Sequence, residues 1–488
     1  MNYEVVVVGA GIGGLTVAAL LAARGLDVCL LERESQPGGC VASVEKFGYR
    51  FDPGLGLYAL WEPGEIHDRI FSELPVAPPE VRRRDPGYCV RLPDQSEIPV
   101  TANTEQFEAA LRKTFPECAD QAIRFYRESA RLSNRIRNEL QNAPDVATVL
   151  QDDSQLSKLT EKSEGLTSQT ASQHLAGTSL RFRRFVDVQL QLLTQAGSDH
   201  CSYLRSCLAL TVPRQGVFSV AGGAAALAER LAESIKASGG RIRLDTPVLR
   251  LAYDTAGQAI GVDLLSGERV HASRAIVSNL TVWDTYGKLI GLNRTPLETR
   301  KQIGSLRSWG VYLLYLGVEE ESASKLSASH LLALTDWQED QRFDPETAQL
   351  MFALAPDWDP SAPSGRRAAT IQMFTDVDEW FTFHESEEQH EEKDQALLET
   401  WWPRIQAAIP ELGDSSELIE TSTPRTIYDS TRRKLGMVGA ITEPLNGETI
   451  GSSTSLPNVF MVGDTVARGA SIACVSQLAF ALANRLTQ

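Results

Sequence analysis

The sequence predicts an α/β fold. One domain is built around a largely parallel sheet, and a second, mixed α+β domain is inserted into it. Three observations carry this. Near the N-terminus a β-branched run at 5–8, a glycine cluster at 9–14 and an Ala/Leu-rich stretch to 23 follow one another, in the order of a strand–turn–helix unit. Between 219 and 279 a glycine turn, a helical period and short strands return. From 306 onward the pattern changes to aromatic, β-prone runs that suit antiparallel strands.

Composition bounds what this fold can do. The 488 residues suffice for two or three domains of about 100–200 residues each. Hydrophobic residues make up 42% and charged residues 23%, which excludes a disordered, collagenous or coiled-coil chain. Asp and Glu number 63 against 47 Lys and Arg, a net charge of −16, so the surface repels phosphate backbones and no nucleic-acid partner is expected. The short basic runs Arg82-Arg83-Arg84 and Arg432-Arg433-Lys434 read as solvated loops. Seven cysteines without a CxxC pair speak against disulfides and zinc and fit a reducing cytoplasm. The histidines form no HExxH, so no metal is expected.

The uncharged run 5–23 is long enough to imitate a membrane span or signal peptide. Glu4 precedes it, where a signal peptide carries a cation, and four glycines interrupt it. Strand, turn and helix is the better parse, with Gly25 ending the helix.

Gly9-Ala10-Gly11-Ile12-Gly13-Gly14 satisfies G-x-G-x-x-G through Gly9, Gly11 and Gly14. The first glycine allows a tight turn, the second lets a pyrophosphate approach the backbone, and the third lets helix pack on strand. The pyrophosphate would sit on the helix N-terminus. A second strand, Val28-Cys29-Leu30-Leu31, ends at Glu32, eighteen residues past Gly14 and near the offset of a ribose-hydroxyl acceptor. The unit is Rossmann-like. The pattern alone leaves NAD and FAD open.

Further segments resolve that choice by resemblance. They are Glu32-Arg33-Glu34-Ser35-Gln36-Pro37-Gly38-Gly39-Cys40, Phe47-Gly48-Tyr49-Arg50-Phe51-Asp52-Pro53-Gly54, and a late strand ending in Gly463-Asp464, followed by Gly469 and a helical run. Gln215-Gly216-Val217-Phe218, Thr423-Pro424-Arg425-Thr426 and Gly436-Met437-Val438-Gly439 join them. Together they resemble the phytoene-desaturase-like FAD enzymes, the group of carotenoid desaturases, carotenoid isomerases and relatives of retinol saturase.

The resemblance implies a discontinuous, glutathione-reductase-like FAD domain from 1–110, 206–285 and 421–488. A substrate domain from 111–205 and 286–420 would combine a helical cap with an antiparallel sheet, one face of which lines an apolar pocket. It implies that the Arg33, Gly38, Gly39 and Cys40 segment wraps the FAD. The Val248 backbone would face adenine, and Gly463-Asp464 would hold the ribityl chain. The helix beginning near Ser471 and Ile472 would aim its N-terminus at the flavin ring. The implied activity is hydride transfer at C–C bonds of a hydrophobic isoprenoid. Redox-neutral polyene isomerisation, amine oxidation and non-catalytic ligand binding stand as alternatives.

Two departures from that family matter. Ser471 and Cys474 stand where relatives often carry glycine. Ser471 either caps the helix or offers its hydroxyl to substrate or ring, and Cys474 reads as a packed small side chain. The insert 145–173 is polar, where relatives carry membrane-dipping apolar segments. With the net charge, that predicts only weak peripheral membrane contact. The oligomeric state is left open.

Overall fold

The structure is a computed structural model, and it describes residues 1–142, 169–339, 341–381, 386–441, 450–467, 469 and 471–488. The N-terminal run resolves as the glycines indicate. Asn2–Val8 is strand β1 and Ile12–Ala23 is helix α1. Val5, Val6 and Val7 are fully buried, and α1 is buried from Ile12 through Ala22. A helix apolar on every side must be covered on every side. Here Gly223–Ala237 (α5) and Ile472–Thr487 (α7) flank it.

The first sheet has seven strands. Arg241–Arg243 (β5), Val28–Leu31 (β2), β1 and Arg269–Ser278 (β8) run parallel in that order. The first half of β8 pairs antiparallel with Ala259–Leu264 (β7), which carries Val248–Tyr253 (β6) beyond it. Its last three residues pair parallel with Val459–Met461 (β14). Strands from three distant stretches of chain therefore meet around one glycine turn.

The second sheet also has seven strands. Its order is Glu417–Ser422 (β13), Gly310–Glu319 (β9), Arg366–Thr375 (β12), Gln349–Leu354 (β11), His330–Leu334 (β10), Tyr88–Arg91 (β3) and Glu97–Val100 (β4). All neighbours are antiparallel except β10 and β3. Helix Glu387–Ala408 (α6) packs on one face through Trp401 and Ile405, against Tyr312 and Leu314. Helices Ala119–Asn142 (α2), Leu180–Thr194 (α3) and Tyr203–Gln215 (α4) form a layer joined by aromatic contacts, with Phe125 of α2 at 6.3 Å from Phe182 of α3 and 6.1 Å from Tyr203 of α4. No helix among the described residues is long and apolar enough to cross a membrane.

The structure departs from several sequence expectations. β3 and β4 lie within the expected 1–110 segment but hydrogen-bond into the second sheet, because β10 offers β3 a free edge. The expected boundary at 206 cuts helix α4 near its start. Arg84 does not sit in a solvated loop. It ends a strand and turns inward to the carbonyls of Gly56 and Gly87 and to His330, and burial pulls its guanidinium down to about 9. Residues 145–168 of the polar insert, Glu385 of the acidic run before α6, Arg468 and Ala470 lie outside the described residues.

Candidate active site

A cavity of about 1090 Å³ is lined from both sheets. Its volume stands at the upper edge of ligand sites, about 300–1,000 Å³. On one side lie Gly9, Gly11, Gly13, Glu32, Arg33, Gly38, Gly39, Cys40 and Val248. Gly463, Asp464, Gly469, Ser471 and Ile472 arrive at the same cavity from the far end of the chain. Gly14 stands behind the wall, where an added Cβ would lie 2.3 Å from the Gly9 carbonyl oxygen. That closeness is what the third glycine of the fingerprint exists to allow.

The cradle itself has a defined shape. An added Cβ at Gly11 would meet Asn279 Nδ2 at 2.4 Å. The Gly38 N–H donates to the Ala10 carbonyl at 2.8 Å, which seats the second glycine segment against the first. Gly11 caps α1 without a side chain, and the first turn carries no acid. The first N–H groups of α1 therefore have no side-chain partner and suit an anion. Glu32 Oε2 accepts from the Ala10 N–H at 2.6 Å and Oε1 from the Glu34 N–H at 2.9 Å. The carboxylate is fixed at the tip of β2 and keeps lone pairs for ribose hydroxyls. These donors and acceptors fit a dinucleotide.

At the other end, Asp464 Oδ2 accepts from the Arg433 guanidinium at 2.7 Å and from the Gly439 N–H at 2.9 Å. Arg433 also reaches the Met437 carbonyl at 2.8 Å. Burial works against its charge, but Asp464 beside it wins and holds the guanidinium above its ordinary range. This corrects the solvated-loop reading at Arg433, while Arg432 is exposed as that reading expects. The loop folds inward because Gly436 passes so close to Pro424 that an added Cβ would lie 1.9 Å from its carbonyl oxygen. That glycine was the available signal. Burial also pushes the Cys40 thiol up, beside Arg433.

Ser471 caps α7, its Oγ accepting from the Cys474 N–H at 3.2 Å and donating to Cys474 Sγ at 3.2 Å. Desolvation pushes the Cys474 thiol up, so it is held as the neutral thiol. Residues 471–475 present the N-terminus of α7 to the cavity.

The remaining wall is largely apolar. Val311, Leu313 and Tyr315 alternate along β9 and so share one face. Phe374 of β12 stands opposite Val311, and Gln372 opposite Leu313. The intervening Tyr312 and Leu314 turn to α6, so the sheet is covered on one face by a helix and lines the cavity with the other. Leu192 and Leu193 of α3 and Leu208, Ala209 and Val212 of α4 complete that wall. Asn279, packed under the glycines, carried no sequence signal of its place in the cradle.

Comparison with known proteins follows the same geometry. A family model described as flavin containing amine oxidoreductase matches residues 12–471. The chain is 25% identical over 495 residues to prolycopene isomerase 2, chloroplastic, of an Oncidium hybrid cultivar, spanning 97% of this chain and 82% of that protein. It is 27% identical over 326 residues to the phytoene desaturase (neurosporene-forming) of Cereibacter sphaeroides, spanning 64% and 60%. An oxidoreductase structure from Methanosarcina mazei matches its fold with a TM-score of 0.66 at 16% identity, over 99% of each chain. The family match runs from the first residue of α1 to the cap of α7 and so takes in both ends of the cradle: the chain belongs to the flavin-containing amine oxidoreductase family and is an FAD-dependent oxidoreductase.

Proposed function

We propose that this enzyme acts on C–C bonds of a long, apolar isoprenoid of the carotenoid or retinoid kind, by desaturation or saturation. The observation that carries the reading is the apolar wall of Val311, Leu313, Tyr315 and Phe374, which is continuous with the dinucleotide cradle in one cavity. Such a wall orients an extended chain and excludes water from it. FAD, when bound, supplies acceptance and donation of hydride at its ring.

The chain's own residues do the positioning. The uncapped start of α1 at Gly11 and Gly13 would hold the pyrophosphate, Glu32 would take the ribose hydroxyls, and the Val248 backbone would stand on the adenine side. Arg33, Gly38, Gly39 and Cys40 would wrap the cofactor. Asp464, held by Arg433 and the Gly439 N–H, would take the ribityl hydroxyls. The N-terminus of α7 would stabilise negative charge on the ring. Ser471 serves as the cap of that helix, since its hydroxyl is engaged by the Cys474 N–H.

Redox-neutral isomerisation of a polyene is the second reading. It is favoured by the match to prolycopene isomerase along 97% of the chain, against 64% for the desaturase. Anaerobic incubation of holoenzyme with phytoene and an added quinone as electron acceptor, and separately of reduced holoenzyme with Z-lycopene, distinguishes the two by chromatography. Desaturation changes the number of double bonds and consumes an electron acceptor. Isomerisation changes geometry alone and consumes none. Recovery of both polyenes unchanged under all these conditions would count against either reading.

A further inference from the structure

Among the described residues six cationic side chains line the cavity: Arg33, Arg137, Arg205, Lys288, Arg432 and Arg433. Five have a carboxylate partner inside the fold. Arg33 pairs with Glu34 and Arg137 with Glu65, Lys288 with Asp284 at 2.7 Å, Arg432 with Asp429 at 2.9 Å, and Arg433 with Asp464 at 2.7 Å. Arg205 is the exception. No carboxylate of a described residue stands within 4.0 Å of its guanidinium, and its side chain has no hydrogen-bond partner among them.

The position of Arg205 gives that vacancy a direction. On α4 it is followed by Leu208, Ala209 and Val212 at i+3, i+4 and i+7, the spacing of one helix face, and all four line the cavity. From Arg205 to Val212 the axis advances about 10 Å. The helix thus presents an apolar strip with an uncompensated cation at one end. The charge of Arg205 is felt at Cys474 in the first turn of α7, so the guanidinium and that helix N-terminus converge on one region.

An unpaired arginine on an open surface is satisfied by water. One that faces a cavity filled by an apolar chain loses that water, which is costly unless the ligand brings an anion of its own. A pure hydrocarbon would leave the guanidinium stripped, and a protonated amine would be repelled by it.

We propose that Arg205 receives the carboxylate end of an amphipathic substrate, an isoprenoid or polyene acid, whose apolar chain lies along Leu208, Ala209 and Val212. This rests on the apolar-chain reading of the cavity and adds to it the chemical class of the end group. Arg205 is then a specificity-determining residue.

The test measures binding to the FAD-loaded enzyme by quenching of protein fluorescence. The probes are all-trans-retinoic acid, all-trans-retinol and β-carotene, with oleic acid and oleyl alcohol as a straight-chain pair. Wild-type enzyme is expected to bind the acid of each pair about ten- to a hundredfold tighter than the alcohol, the worth of one charge-assisted bond. Arg205→Gln should lower acid affinity to that of the alcohol and leave alcohol affinity within about twofold. Arg205→Lys should keep part of the preference. FAD content confirms that each variant is folded.

Equal binding of retinoic acid and retinol by wild-type enzyme, or a preference that survives in Arg205→Gln, would overturn the proposal and leave the isoprenoid reading standing. An Arg205-dependent preference for oleic acid, with none of the isoprenoids bound, would support Arg205 as the carboxylate site and overturn the isoprenoid reading instead. Binding of none of the five probes would overturn both.

Discussion

Gly14→Ala tests the cradle at its tightest point. The new Cβ would stand 2.3 Å from the Gly9 carbonyl oxygen and 2.9 Å from Asn279 Cβ. Carbon contacts are comfortable at about 3.5–4.0 Å. The obstacle is backbone, so α1 must retreat from β1 by roughly 1 Å, yet α5 and α7 hold it from behind. Overpacking of this kind costs about 1–3 kcal/mol, and here the upper end applies. Alanine returns about 1 kcal/mol through helix propensity. The net loss of stability is about 2 kcal/mol. The same retreat draws the first N–H groups of α1 away from where the pyrophosphate would sit. Loss of one charge-assisted hydrogen bond, about 1.5–3 kcal/mol, weakens FAD about ten- to a hundredfold. Urea unfolding of the apoprotein reads the first effect and equilibrium dialysis of FAD reads the second. Gly25→Ala is the control. Gly25 has φ +86° with nothing within 4 Å of its added Cβ, so it suffers backbone strain of about 1–2 kcal/mol and no change in FAD affinity. FAD bound by Gly14→Ala as tightly as by wild type, or weakened equally by Gly25→Ala, would show that the close approach of Gly14 to Gly9 does not set FAD affinity.

Three further outcomes follow from the site. Asp464→Asn strands the Arg433 charge and should cost about 3 kcal/mol in urea unfolding. Adding Arg433→Met should recover much of that stability without recovering FAD affinity. Ser471→Ala should cost about 1 kcal/mol as a lost helix cap, whereas Ser471→Gly should cost only a few tenths. Equal loss of turnover in both, measured by flavin reduction, would assign the hydroxyl to chemistry instead. Burial lowers the His67 imidazole to about 4, so the fold holds it neutral. Its contribution to stability is therefore full above about pH 6.5 and is lost as pH falls toward 4, by about 3 kcal/mol in all. His67→Phe, which keeps a ring against Trp61, should flatten the pH dependence of urea midpoints across that window.

How much of this was legible depended on how local each cause is. The turn at Gly9–Gly14 could be read because its glycines answer to backbone geometry a few residues away. The β12 strand could be read because Thr370, Gln372 and Phe374 alternate with Ile371 and Met373 in the period of the pleat. Gly25 marked the end of α1 through its own φ. The missed features answer to distant partners. Arg433 turns inward because Asp464 lies 31 positions onward in sequence, and nothing in the Arg-Arg-Lys run shows that. Arg84 is drawn in by His330, 246 positions away. β3 looks like any buried strand, and only its pairing with β10 decides which sheet it joins. Arg205 was invisible for the opposite reason, since its meaning is the partner it does not have.

The proposed function, C–C chemistry on an apolar chain, is read at the flavin. Anaerobic stopped-flow mixing of oxidised holoenzyme tests it most directly, with polyenes and primary amines run in parallel and the flavin absorbance followed. Polyenes, and acid-ended ones fastest, should bleach the flavin or emerge with altered double bonds, while amines should leave both flavin and amine unchanged. Bleaching by amines, with every polyene recovered unaltered, would contradict it.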